Sequence, residues 1–490
     1  MLRVSNIRSG AVLVAIFFYC LVTFRCPLVP RASECCSARA LFVAQNHVST
    51  QKQRSGTALY DIRPAFKRED VQKLLTPAEQ AEVLSTCNRV ISRTLTRATA
   101  VHGFSERVYV ATGDIDAMWL RDSAVQVSIL LQSVHMKPFL QPLLDGLLRT
   151  HAYMILQDPY ANSFRKAWRE PRSEERPLRR GGWVDTGNWE PDSLAYFLHF
   201  LADYASTPHL TSSETVLYEP VIFRSVLLVL RTLQTEQHHK ELSQYRYAEL
   251  PNDGLGAPVG YTGMIWGGYR PSDDAQTYGY NIPVNMYVHS GLEKLLKLNA
   301  IIFKSETVKR DATKLVQDIR NGIRQYGVVN GLYAYEVDGL GNALIDFDDA
   351  NIPSLLSAPL LNFSDLQPGV YTATRKRVLS SHNPQFFSGL TFEGIGSPHT
   401  SHRHAWPLAV MARALTAARA SEAAESIKFL LRMRCGDGLM HESVHVDQPE
   451  RCTRPSFEWA NTLFVQLVWT IFSEDVCSLA SLDASHIRHE

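Results

Sequence analysis

Residues 112–127 read TGDIDAMWLRDSAVQV, a loop of acids and one indole that runs directly into an apolar helix. Asp114, Asp116, Trp119, Arg121 and Asp122 are too polar for a core strand and too aromatic for a solvated loop. A groove for a hydroxyl-rich ligand accounts for both properties. Carboxylates and a forked guanidinium fix the direction of sugar hydroxyls, and an indole face covers the apolar side of a pyranose ring. Taken alone, the stretch also fits a loop whose Asp residues cap the next helix over a packed Trp119.

Outward from it the same unit recurs: a helical stretch, a loop rich in Gly, Asp and Trp, then another helix. A first helix is announced at Thr76-Pro77-Ala78-Glu79 by a capping Thr, a Pro at the first helical position and a Glu three residues after the cap, and it runs to about Arg97. Further helices are predicted over 123–135, 139–157, 193–204, 220–236, 282–299, 305–326, 404–417, 421–433 and 455–472. Strand signals are few: 333–337 before Asp338-Gly339, and 443–446. The count predicts an all-α fold, a single toroid of paired helices whose long loops gather at one end to make the site.

Composition narrows the ligand. With 490 residues, 45% hydrophobic and 20% charged, the chain is an ordinary globular one, and 50 Lys plus Arg against 49 Asp plus Glu leave a net charge of +1. No nucleic-acid partner is expected, and a neutral ligand is. The break in composition is N-terminal: Arg3 and Arg8 precede an uncharged apolar run over 9–24, closed by Arg25. Residues 1–25 are expected to be an uncleaved signal anchor that leaves the bulk of the chain in the Golgi or ER lumen as a type II protein, with a cleaved secretory peptide as the second reading. Both lead into the secretory pathway, and membrane contact is expected only through this segment. Residues 26–56 read as a stem and 57–490 as the folded unit.

Eight cysteines agree with that compartment. Cys435 and Cys452 bracket one loop, while Cys87 and Cys477 sit on or beside the candidate first and last helices, neighbours in a closed ring. Sequence leaves the connectivity open. Asn362-Phe363-Ser364 is the only glycosylation sequon.

Four further clusters carry chemistry. Residues 181–193 (GGWVDTGNWEPDS) alternate acids with Trp183 and Trp189, and lead Asp192 into an apolar helix. Capping would lower the pKa of Asp192, so a role as general acid requires the indoles to desolvate it. Residues 266–281 (WGGYRPSDDAQTYGYN) repeat the aromatic, Arg and paired-Asp vocabulary, and 346–351 (DFDDAN) resemble an oxygen cage for calcium but lack its twelve-residue loop and terminal Glu. In 392–400 (FEGIGSPHT), Glu393 stands before Gly-x-Gly, a rigid mount for one carboxylate. The match His441-Glu442-Ser443-Val444-His445 to the zinc-protease pattern sits in turn and strand chemistry, where the two imidazoles would stand about 13 Å apart, so it is set aside.

In this order TGDIDAMWLRDSAVQV, WGGYRPSDDAQTYGYNIPVNM, YEVDGLGNALIDFDDANIPSLL, GIGSPHTSHRHAWPLA and HESVHVDQPERCTRPSFEWANTLF resemble glycoside hydrolase family 125 over about residues 63–472. The resemblance implies an (α/α)6 barrel and an exo-acting, anomer-inverting α-1,6-mannosidase that needs no metal or cofactor. It also implies Asp192 as general acid, Glu393 as general base, and Arg121, Asp122, Arg270, Asp273 and Asp274 around the terminal mannose. Asp114, Trp119, Trp189, Trp266 and His399, from the same clusters, complete the expected substrate-binding set. The expected partner is a mannose-containing oligosaccharide or glycoprotein glycan, and the expected state a monomer. The helix start Trp-Glu-Pro-Asp departs from the aliphatic residue usual before the acid, and the insert 165–180 is unusually charged. Two alternatives remain open at this point: another toroidal glycosidase or phosphorylase, and a catalytically silent glycan-binding protein.

Overall fold

The computed structural model describes residues 59–102, 107–133, 137–166, 182–207, 216–473, 477 and 488–489. The expected anchor and stem, and most of the charged insert, lie outside them. Among the described residues thirteen helices run in order: α1 Arg68–Lys73, α2 Pro77–Ala98, α3 Leu120–Ser133, α4 Gln141–Gln157, α5 Pro191–Ser206, α6 Pro220–Gln237, α7 His239–Leu242, α8 Ile282–Ile301, α9 Glu306–Tyr326, α10 Pro368–Val378, α11 Pro407–Leu415, α12 Ala420–Arg432 and α13 Glu458–Ile471.

Local chemistry sets the starts. Glu79 accepts the Thr76 amide at 2.7 Å while Thr76 Oγ1 accepts the Glu79 amide at 3.2 Å, so α2 begins on a reciprocal capping box. Asn281 caps α8 and Ser305 caps α9 through the amides of Val284 and Val308. Pro191, Pro220, Pro368 and Pro407 occupy first helical positions, where a missing N–H has no cost. The helix predicted from residue 404 therefore starts later, at Pro407, because His404 and Ala405 are drawn into a strand against His445 and Val444.

Burial separates two classes of helix. In α5, α8 and α13 most residues are buried, whereas α9 buries a stripe (Val308, Ala312, Leu315, Val316, Ile319, Ile323) and leaves its charged face to water. The buried class packs in sequence: α3 on α5, α5 on α8, α11 on α13, and α13 back on α3. A short 3-10 turn, Ala358–Leu361, lies against α8 between α8 and α11 in the chain. The amphipathic class lies on these, α9 on α8, α12 on α11 and α2 on α13. The fold is thus helix-rich with small sheets, and no described helix is long and apolar enough to cross a membrane.

The sheets are loop devices. Ser443–His445 pairs with Cys452–Thr453 on one side and His404–Ala405 on the other. The single strand expected over 333–337 is split, because Leu332–Tyr333 turns back on Val328–Val329 while Glu336–Val337 joins Tyr280–Asn281 and Ala343–Leu344. Disulfides join Cys87 to Cys477 and Cys435 to Cys452, with Cα separations of 5.9 and 6.4 Å.

Candidate active site

The first turns of α3 and α13 meet the 270–274 turn and the 441–454 hairpin around one narrow pocket of about 80 Å³. Trp119, Trp406, Phe457 and Trp459 supply its aromatic walls; Arg121, Asp122, Asp273, Asn351, His399, Glu442 and Arg454 supply its polar groups.

Arg121 is the hub. Its Nη1 donates to Glu190 at 2.7 Å and to Asp192 at 3.3 Å, its Nε lies 3.3 Å from Asp122, its Nη2 lies 3.8 Å from Asp273, and the guanidinium stands 5.1 Å from the Trp459 ring. Four carboxylates thus share one cation, and three of them are almost wholly buried. That excess of negative charge cannot all be ionised in a low-dielectric site. Burial, helped by the neighbouring Asp273 charge, holds Glu190 well above the usual carboxylate range. Burial also raises Asp122 and pushes Asp192 up to about 6. Asp273 goes the other way: burial alone would raise it, but hydrogen bonding with Glu190 and the Arg121 charge hold it low. The opposite shifts favour a shared proton on Glu190 over one on Asp273.

Asp122 and Asp273 are the members of this group that line the pocket, and of the two Asp273 is the open one, with 27% of its side chain exposed against 3% for Asp122. Its φ of +66° puts it in the left-handed region, inside a turn closed by Arg270 N to Asp274 O at 2.8 Å and Asp273 N to Arg270 O at 2.9 Å. A non-glycine residue held there costs of order 1 kcal/mol, and such strain concentrates at functional positions. Asn162 Nδ2 at 2.8 Å and Trp119 Nε1 at 3.4 Å fix its Oδ1.

Glu442 enters from the hairpin, just before the strand Ser443–His445. Thr453 Oγ1 donates to its Oε2 at 2.9 Å, and Arg454 Nη1 lies 3.5 Å from its Oε1. Arg454 also donates to Asp114 Oδ1 at 2.7 Å and to the Thr112 carbonyl at 2.9 Å, tying the hairpin to the 112–119 loop. Gly113 lets those segments touch: at φ +64°, any Cβ there would run into the carbonyl of Ser456. His399 completes the rim, where its hydrogen bond with Asp274 at 3.2 Å lifts the imidazole to about 9 and makes it a cation near neutral pH.

Of the residues singled out from sequence, Trp119, Arg121, Asp122, Asp273 and His399 line the pocket. Asp114 and Asp274 stand behind it, holding Arg454 and His399. Arg270 is buried against Glu336 at 2.6 Å, Trp266 stacks on His239 with ring centres 3.4 Å apart, and Trp189 donates to the Trp266 carbonyl at 2.8 Å. These three brace the 266–274 loop instead of facing a ligand.

The structure does not bring Asp192 and Glu393 to one pocket. Asp192 is fully buried beneath Arg121 and does not line the pocket. Glu393 faces a separate surface groove with Arg375 and Glu422, where Arg413 Nη1 binds it at 3.0 Å. The two carboxylates thus lie in different surroundings, one under Arg121 and one in a groove that shares no residue with the pocket. Glu442, Arg454, Asn351 and Trp459 line the pocket without having been assigned a role from sequence. The signal for Glu442 was its place after a glycine turn, Gly436 to Gly438, much as Asp273 follows Gly267 and Gly268.

The candidate metal patterns resolve into protein contacts. Asp346 pairs with Arg377 at 2.6 Å, Asp348 accepts the amides of Leu355 and Leu356, and Asp349 accepts Ser272 and Ser397, so the three acids face separate partners. His445 sits on a strand and His441 outside it, bound to Asp437 at 3.2 Å. Among the described residues, the one grouping with metal-ligand spacing is Cys435, His441 and Cys452, in which the two cysteines are joined.

A pocket of indoles, acids and two arginines, Arg121 and Arg454, is the chemistry of a sugar site, and the comparison with known families decides which. The model for metal-independent alpha-mannosidase (GH125) matches residues 80–469. The chain belongs to that family. It is 33% identical over 436 residues to the meiotically up-regulated gene 157 protein of Schizosaccharomyces pombe, covering 82% of this chain and 84% of that protein. A Streptococcus pneumoniae metal-independent alpha mannosidase, solved in a non-productive complex with alpha-1,6-mannobiose, is 34% identical with a TM-score of 0.73, over 82% of this chain and 96% of the other. Glucoamylase from Saccharomycopsis fibuligera shares the fold alone, at 12% identity and a TM-score of 0.53, over 81% of this chain and 96% of its own. Membership in GH125 makes the chain an α-mannosidase-type glycoside hydrolase with a mannose-glycan substrate.

Proposed function

We propose that this GH125 chain is an exo-acting α-1,6-mannosidase that inverts the anomeric centre, with Asp273 as general acid and Glu442 as general base on an (α/α)6 barrel. The observation that carries the proposal is that Asp273 and Glu442 line one small indole-walled pocket, whereas Asp192 and Glu393 do not. The barrel would have α3, α5, α8, the 358–361 turn, α11 and α13 inside, and α4, α6, α9, α10, α12 and α2 outside. The 1,6 linkage is supported by the mannobiose complex of the Streptococcus pneumoniae relative.

The chemistry follows from the charges. Substrate displaces water from Asp273, which disfavours its ionised form, and the proton held by Glu190 passes to it. Asp273 gives that proton to the glycosidic oxygen as the bond from C1 breaks. A water attacks C1 from the opposite face and loses its proton to Glu442, so an α-mannoside yields β-mannose and the free alcohol. Room for that water requires carboxyls roughly 6.5–9.5 Å apart. Arg121, Asn162 and Trp119 then stabilise the Asp273 carboxylate left behind. The pocket's size and its buried floor of Arg121 and Asp122 favour removal of one terminal sugar at a time.

The test is an NMR time course of the full chain on α-1,6-mannobiose with chelator present. Prompt β-mannose supports the proposal. Prompt α-mannose means retention and removes the water-activating role of Glu442, and binding without release turns the reading to a silent glycan-binding protein.

A further inference from the structure

We propose that Asn362 carries an N-linked glycan, and that it leaves the molecule well away from the candidate active site. The sequon Asn362-Phe363-Ser364 follows the 3-10 turn Ala358–Leu361, and Asn362 is its exposed C-terminal residue at φ 56°, ψ 32°. The left-handed region is one that asparagine tolerates and that turns a chain outward. Phe363 is 5% exposed and meets the His289 ring edge-on at 4.9 Å, so it anchors the sequon from below. Ser364 is exposed, its hydroxyl donating to Glu293 at 2.9 Å. Asn362 and Ser364 are both exposed, on either side of the buried Phe363, which suits a bulky polar modification at the acceptor amide.

Position and compartment are argued separately. The turn lies along α8, where Ser290 donates to the Leu361 carbonyl at 2.6 Å and Glu293 meets Ser364. Those residues stand 8 and 11 positions past the start of α8 at Ile282, whose amide joins the Tyr335 carbonyl beside Glu336, the partner of Arg270. At 1.5 Å per residue, that is roughly 12–17 Å down the helix from the pocket end. The disulfides Cys87–Cys477 and Cys435–Cys452 require an oxidising compartment, and the apolar run over 9–24 is of the kind that brings a chain there. The sequon is therefore both accessible and in the chemistry that modifies it.

The full chain is expressed in eukaryotic cells, digested with an N-glycan amidase and measured by intact mass. The expected result is one glycan's loss of mass on digestion, absent from Asn362→Gln and from Ser364→Ala, and retained in Ser364→Thr, which keeps the hydroxyl and reports that the turn still folds. Mannose release by Asn362→Gln should equal wild type. No mass change in the wild type overturns the proposal, as does a change that persists in Asn362→Gln. Loss of mannosidase activity in a correctly folded Asn362→Gln overturns the stated separation from the site.

Discussion

Replacing Glu442 by Gln should separate the two candidate bases. The amide keeps the side chain's volume and can present its carbonyl oxygen to Thr453 Oγ1, so the 2.9 Å bond survives and the hairpin stays in place. What is lost is basicity. A positioned general base is worth about 10²–10⁴ in rate, or roughly 2.7–5.4 kcal/mol of barrier. The loss should appear in kcat more than in KM, because the deprotonated water exists only on the way to the transition state. Glu393→Gln is the paired control. Its side chain is 34% exposed and its partner Arg413 keeps Glu422 and Glu425, so the ion pair contributes about 0–1 kcal/mol to stability and nothing to the chemistry. The assay is the initial rate of β-mannose release from α-1,6-mannobiose, with thermal unfolding of each variant measured alongside. In Glu442→Ala, added azide should enter the vacated space and yield β-mannosyl azide. The reasoning is refuted if Glu442→Gln stays within about tenfold of wild type while Glu393→Gln loses about 10²–10⁴ in rate.

Three further outcomes are expected. Arg121→Met leaves Glu190, Asp192, Asp122 and Asp273 without their common cation, and breaking a buried charge network by removing one partner costs about 3–5 kcal/mol, to be read from urea unfolding. Asp274→Asn should drop the His399 titration, followed by NMR, from about 9 towards 6.5; because the folded-state value is the raised one, the ion pair's stabilisation is complete below pH 6.5 and fades as pH rises to 9, so the difference in Tm between variant and wild type should shrink across that window. Cys87→Ser with Cys477→Ser opens a link spanning 390 residues and should cost about 2–4 kcal/mol in stability, while kcat/KM on mannobiose stays unchanged because the bond joins α2 to the segment after α13, away from the pocket.

What was legible from sequence follows the range of the forces involved. Helix starts are local: Thr76 and Glu79 bond each other across three residues, and Ser305 and Asn281 cap the turns directly after them, so pattern alone placed them. The helix α10 was invisible because PGVYTATRKRV buries only Thr374 and Val378 and shows no apolar stripe. The aromatic-acidic loops were legible as a site because few structural roles need so many carboxylates beside indoles. Which carboxylate faces the ligand was not legible, because that is decided by pairing across the chain. Arg121 takes Glu190 and Asp192 from the start of α5 and Asp273 from the 270–274 turn, with Asp192 buried and Asp273 facing the pocket.

Glu442 shows the same limit from the other side. The geometry that excludes a zinc protease, a turn and strand in place of a helix, is the geometry that aims this carboxylate. Strand pairing sets Ser443 opposite Thr453, and through that register Thr453 and Arg454 reach the two oxygens of Glu442, while Arg454 holds the hairpin against the 112–119 loop. Two acids that flank one bond must come from elements that tertiary structure holds apart by the width of a water and a sugar. On the proposed assignment those elements are the turn at Asp273, with its positive φ, and the hairpin that carries Cys452, 169 residues apart in sequence and brought to one pocket by the fold.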